Sequence, residues 1–139
     1  MIEELIETPD ENLQYLSHET IGGTINIYVE SRRDVATCPY CGENSVHVHS
    51  RYYRVLQDLP IQDKKSRIVL LNRKYLCGNP KCSHKTFAET YEFYKPKATK
   101  TERLQAEILR ISLTQSSIAA SNYLRHSVAE VGKVPFAIY

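Results

Sequence analysis

Tryptophan is absent from this 139-residue chain, methionine occurs once and glycine only five times. The longest uninterrupted apolar run is the four residues Ile68, Val69, Leu70 and Leu71. A membrane span needs about 20 apolar residues, so no transmembrane helix is expected. The N-terminus, Met1-Ile2-Glu3-Glu4-Leu5-Ile6-Glu7, lacks the basic start and apolar stretch of a secretory signal. A cytoplasmic location follows as the expectation. In that compartment thiols stay reduced, so four cysteines at short spacings point to metal ligation before disulfides. The length suits one compact domain plus an appendage, or two small units, and a large enzyme core with its own substrate cleft is not expected. No small-molecule substrate is expected.

What the chain does have is an uneven charge. Residues 1–36 carry eight acidic and two basic side chains, a balance of −6, and residues 37–139 carry eight acidic and sixteen basic ones, a balance of +8. An acidic head on a basic body suggests that the body meets a polyanion.

Hydrophobic period divides the chain. Residues 1–20 read as a short helix or loosely held arm, with Thr8-Pro9-Asp10-Glu11 opening a helix that carries Leu13 and Leu16. Gly22-Gly23 breaks it. Thr24 to Glu30 alternates and is rich in β-branched residues, which predicts a strand. Further strands are expected over Ser45–Ser50, Tyr52–Leu59, Lys65–Leu76 and Thr86–Glu89, with Pro60 ending the third because it cannot donate to a ladder. Tyr94 to Ala98 reads as a linker. Beyond it the period lengthens. Thr99 and Glu102 form a capping box, and Leu104, Ile108 and Ile111 share a helical face. A second helix is expected from Ser116 or Ser117, carrying Ile118, Ala119, Ala120 and Leu124.

The strongest motif is Cys38-x2-Cys41 and Cys77-x4-Cys82, separated by 35 residues. Four thiolates suit tetrahedral zinc, with sulfurs at about 2.3 Å from the ion. Two residues between ligands let the backbone curl both sulfurs towards one point. Pro39 starts that curl, and Gly42 lets the chain leave through a positive φ. Gly78, Asn79 and Pro80 repeat these ingredients in the second turn. One structural zinc ion is the expected cofactor, with no open coordination position for catalysis. The small sheet between the two knuckles is expected to depend on the metal.

Cys38-Pro-Tyr-Cys41 is also the tetrapeptide of glutaredoxins. A redox cysteine needs a lowered pKa, usually from a following helix N-terminus. Gly42 to Val48 is a poor helix and a good strand, which disfavours thiol redox chemistry. His84, two residues after Cys82, is an alternative ligand, read instead as a surface or outer-sphere histidine. His47 and His49 share a strand face and either pack near the metal or touch phosphate.

Between the knuckles lie Arg51, Arg54, Lys64, Lys65, Arg67, Arg73 and Lys74, opposed only by Asp58 and Asp63 and interleaved with Tyr52, Tyr53 and Tyr75. Cations of this kind contact phosphate, and tyrosines stack or donate to the backbone. Lys97, Lys100 and Arg103 extend the strip. Lys74, Lys81 and Lys85 also serve to balance the net −2 of a zinc tetrathiolate. Nucleic acid, rather than solvent alone, is the expected partner of this strip.

Taken together, Cys38-Pro-Tyr-Cys-Gly, His49-Ser-Arg-Tyr-Tyr-Arg, Asp58-Leu-Pro-Ile, Arg73-Lys-Tyr-Leu-Cys-Gly-Asn-Pro-Lys-Cys and Lys85-Thr-Phe-Ala-Glu resemble a known segment. It is the N-terminal zinc ribbon of bacterial insertion-sequence transposases of the ISL-three family. The resemblance covers residues 36–90, and from Thr101 the chain is similar to the helix-turn-helix that follows there. It implies binding to the terminal inverted repeats of a mobile element. In that family a separate RNase-H-like domain performs strand cleavage and transfer, and this chain ends before one, so no enzymatic activity is expected of it. The recognition helix is due near Pro135, where only Phe136, Ala137, Ile138 and Tyr139 remain.

The expected molecule is α+β: a small antiparallel zinc-ribbon sheet followed by a truncated helix-turn-helix. Its parts are an acidic arm and first strand over 1–35, the ribbon over 36–94, and the helices over 95–139. Two other classes compete with DNA binding. One is an interaction module that oligomerises through a sheet edge at Ile68–Leu71. The other is an oxidoreductase using Cys38.

Overall fold

The structure, a computed structural model, describes residues 10–114 and Asn122. Seven strands and one helix are built from them: β1 (Leu13–Ile21), β2 (Thr24–Ser31), β3 (Ala36–Thr37), β4 (Asn44–Ser45), β5 (Val48–Ile61), β6 (Lys64–Leu76), β7 (Thr86–Ala88) and α1 (Glu102–Thr114). The main sheet runs β1-β2-β6-β5, with β7 on the far end of β6, while β3 and β4 form a separate two-stranded piece.

This sheet is larger than expected and is mixed. β1–β2 and β5–β6 are antiparallel hairpins, but β2 pairs with β6 in parallel, Ile25 beside Ser66 and Val29 beside Leu70. The chain leaves β2, makes the first knuckle, descends β5 and returns up β6, which slots in beside β2 running the same way. Both hairpins close on two-residue turns with positive φ, Gly22-Gly23 (57° and 80°) and Gln62-Asp63 (49° and 64°). Turns of that hand match the twist of the strands they join.

Three local expectations are corrected. The segment expected as a short helix or loose arm is a strand from Leu13 to Ile21, held along β2 through a bulge between Tyr15 and Ser17. A ladder partner overrides the weak helical pattern of Leu13 and Leu16. Tyr52–Leu59 does not end at Pro60. β5 continues to Ile61, because a register shift between Asp58 and Ile61 frees Pro60 from any ladder bond. The helix is capped by Thr101 rather than Thr99. Thr99 O and Thr101 N instead bond Gln57 at 2.9 Å each, so the chain lies along the outer edge of β5 before it coils. Thr101 Oγ1 then accepts from Leu104 N at 3.3 Å.

One face of the sheet is covered. Ile25, Ile27 and Val29 of β2, Ile68 and Leu70 of β6 and Leu56 of β5 point to it, and Leu13, Tyr91, Phe93 and Tyr94 close over them. Tyr94, expected in a linker, is thus a core residue. α1 packs on β5 and buries Leu104, Ile108 and Ile111 as its period predicts. The second helix and the segment from Gly132 to Tyr139 lie outside the described residues, except that Asn122 is helical and exposed.

Candidate metal centre and the cations around it

The first knuckle is made by backbone bonds. Gly42 N donates to Cys38 O, and Cys38 N to Glu43 O, both at 2.8 Å. Gly42 has φ +82°, as its position requires. The second knuckle closes differently. Asn79 Oδ1 accepts from Lys81 N at 3.0 Å and Asn79 O from Cys82 N at 3.1 Å, so an asparagine side chain does what a left-handed glycine does in the first. Cys77 N donates to Lys85 O at 2.8 Å and ties the knuckle to β7.

The two turns bring all four sulfurs within 4.8 Å of one another. Cys38 and Cys82 are 3.9 Å apart, Cys41 and Cys77 3.5 Å. A tetrahedron with 2.3 Å zinc–sulfur bonds has edges of about 3.8 Å, so the donor set fits one zinc ion. Cys38 is buried against Ala36, Tyr75 and Phe87, and Cys41 lies at the surface.

The thiols themselves disagree about charge. A hydrogen bond from the Glu43 backbone N–H lowers the Cys41 pKa to about 7. At Cys77 the Asn79 backbone N–H pulls the same way, but desolvation and the neighbouring thiols outweigh it and push the pKa to about 12. Cys82 is raised for similar reasons, against a backbone bond from His84. Four crowded thiols cannot all ionise alone, and a divalent cation at their centre removes that conflict. The residues after Cys41 form β4 and no helix, so the redox expectation lacks the helix N-terminus it needs.

His84 stays out of the cluster. Its ring stacks on Tyr40, centroids 3.5 Å apart and planes 8° apart, and so braces one knuckle against the other. This contact was not legible in the sequence. His47 is exposed, and His49 is an exposed residue whose ring meets Ser50 Oγ at 3.2 Å.

The geometry now permits comparison with known families. Residues 34–85 match the zinc finger of transposase IS204/IS1001/IS1096/IS1165. The match spans both knuckles and the β5–β6 hairpin, while β1, β2 and α1 lie outside it. No curated protein and no solved structure matches the chain significantly. Four cysteines brought together within a segment similar to that zinc finger are consistent with a single structural Zn2+.

The ten cations singled out in the sequence divide into two groups. Arg54, Arg73 and Arg103 make internal contacts, and Lys65 also has a partner. Arg54 donates to Ala98 O at 2.5 Å and lies over the Tyr94 ring, its guanidinium carbon 5.3 Å from the centroid. Arg73 donates to Glu89 at 3.3 Å and to Arg33 O at 2.9 Å. Arg103 grips Asp58 through Nε at 2.8 Å and through a second, shorter bond. Asp58 is 1 % exposed, and Thr101 Oγ1 also donates to it, so this carboxylate fixes the start of α1. Glu89 plays a comparable part at the other end, where Ser31, Arg33 and Arg73 converge on it. Neither carboxylate was recognised as an anchor in the sequence. The remaining cations are Arg51, Lys64, Arg67, Lys74 and Lys97, all exposed, with Lys65 and Lys100 half-buried. Among the described residues no helix is long and apolar enough to cross a membrane.

Proposed function

We propose that this chain binds DNA as the N-terminal part of an insertion-sequence transposase and engages the element's terminal inverted repeats. The observation that carries this reading is the match of residues 34–85 to a transposase zinc finger. The charge distribution supports it. The strand β5 and the segment that runs along its edge carry Arg51, Lys97 and Lys100, and β6 adds Lys64 beside the turn and Lys74 at the knuckle end. The opposite edge, residues 10–31, has four acidic side chains and no Lys or Arg. A duplex laid along the β5 side meets cations and avoids the carboxylates.

The knuckles are held by metal, α1 supplies the first helix of the expected helix-turn-helix pair, and the role is binding in the cytoplasm, with no catalytic part for the described residues. The proposal draws on Lys74, Lys97 and Lys100 more than on Arg54, Arg73 and Arg103, which are occupied within the fold.

Titrating duplex DNA carrying the element's end against the zinc-loaded chain at several salt concentrations tests this. Each released phosphate counterion contributes a slope of about −0.9 in log affinity against log salt. Reversing Lys74, Lys97 and Lys100 to Glu should flatten the slope and weaken binding. A wild-type affinity that does not change with salt refutes the proposal.

A further inference from the structure

The covered face of the main sheet is accounted for by its own core and by α1. The other face is open. Its pairing register lays out three rows across the strands: Glu30, Leu71 and Tyr53; Ser17, Tyr28, Val69 and Val55; Glu19, Asn26, Arg67 and Gln57. Tyr53 is 66 % exposed and Val55 52 %, and they adjoin the half-buried Tyr28, Val69 and Leu71. A contiguous apolar patch in the middle of a sheet, with no helix or loop of the described residues over it, is the kind of surface that marks a contact site.

We propose that this open face pairs with the same face of a second copy of the chain. Charge is the deciding observation. The β1–β2 side of the face carries Glu19 and Glu30, and the β5–β6 side carries Arg51 and Arg67. The Tyr28 hydroxyl donates to Glu19 at 2.6 Å and keeps that carboxylate on the face. A two-fold axis running along the strands, in the plane of contact, lays β5–β6 of one copy over β1–β2 of the other. Each acidic side then meets a cationic side, twice by symmetry, around an apolar centre. A nucleic acid stacked on Tyr53 would have to approach the two carboxylates as well, which a polyanion disfavours.

The size of the face sets the strength. Four strands about 4.8 Å apart, over about seven residues of 3.3 Å, give a footprint of about 400 Å². Standard interfaces bury about 800 Å² per partner, so the pair is weak and reversible. Arg51 borders both this face and the DNA-binding side, but Lys74, Lys97 and Lys100 lie outside the contact, and its test changes none of these four residues.

Sedimentation of the zinc-loaded chain, at concentrations up to about 200 µM, tests the proposal in the range where small interfaces associate. The chain is expected to show a concentration-dependent monomer–dimer equilibrium. Val55→Glu should weaken it at least about tenfold. Val46→Glu, at an exposed site on the first knuckle, should leave it unchanged. The decisive arm uses two variants, Arg67→Glu and Glu19→Arg. Each alone should associate less than wild type, and an equimolar mixture should regain association, because a mixed pair matches every reversed charge. Zinc content and circular dichroism confirm that each variant is folded. A monomer throughout the range overturns the proposal, as does a mixture no better than its components or a Val46→Glu effect equal to that of Val55→Glu. If the chain is monomeric and Val55→Glu abolishes DNA binding instead, the face belongs to nucleic acid.

Discussion

β6 passes through two regions that are stabilised by different means. From Ser66 to Asn72 it lies in a packed core, where Ile68, Leu70, Leu56 and Val29 are all fully buried among aromatic and aliphatic neighbours. From Arg73 to Leu76 it enters the metal end. There the apolar cluster is only Ala36, Cys38, Tyr75 and Phe87, edged by Val48 and two more cysteines. Ordering a residue costs about 1–2 kcal/mol of backbone entropy, and so small a cluster cannot offset that over two knuckles. Four cysteines converging on one ion can. The Glu89 carboxylate, held by Arg33, Arg73 and Ser31, joins the two regions. Metal dependence, expected from the sequence for the small sheet between the knuckles, is predicted for the metal end and not for the main sheet. The β1–β2 hairpin and the Tyr91–α1 segment give it a core of its own.

The comparison can be broken most directly by removing the metal. Apparent zinc-binding energies of small zinc domains are on the order of 10–16 kcal/mol. Chelation should therefore abolish amide hydrogen-exchange protection over residues 36–45 and 77–88. Protection should persist in β2, the lower halves of β5 and β6, and α1. Complete unfolding on chelation would show that one region, not two, governs stability. The converse experiment attacks the core. Leu70→Ala removes a side chain with 0 % exposure and should cost about 2–5 kcal/mol, read by urea denaturation with zinc bound. Zinc affinity at neutral pH should barely change. A large loss of zinc affinity would mean that the two regions fold as one.

The metal end was the more legible of the two in the sequence. Cysteine spacing, Pro39 and Gly42 act through local geometry, so Cys38, Cys41, Cys77 and Cys82 could be assigned without knowing the fold. The core was less legible because it depends on pairing between distant segments. Leu13 and Leu16 fit a helix as well as a strand until β2 is placed beside them. The parallel β2–β6 ladder has no local signature at all. Arg54, Arg73 and Arg103 carry the same charge as Arg51 and Arg67, and only the partners Ala98, Glu89 and Asp58 separate the anchored cations from the exposed ones. Composition reported their sum and concealed their division.

The smallest expected effect sharpens the comparison through the tyrosines of the packed core. Burial raises the pKa of Tyr94 from 10.0 to about 12 and that of Tyr91 further, with Glu89 adding to the shift at both. Below pH 10 these phenols are protonated in the folded and unfolded chain alike, and their contribution to stability is fully present. Above pH 10 the unfolded chain loses those protons and the folded one keeps them. Stability should fall from about pH 10 towards the folded values near 12 and above, as measured by urea denaturation along a pH series. Tyr91→Phe isolates the effect. The Tyr91 hydroxyl sits near Ser31 and Glu89 yet makes no hydrogen bond of proper geometry among the described residues, so removing it should be close to neutral at pH 7. The same variant should make the alkaline loss shallower. A variant as sensitive to alkali as wild type would place the source at Tyr94 or at the metal end, where Tyr75 is also raised by burial.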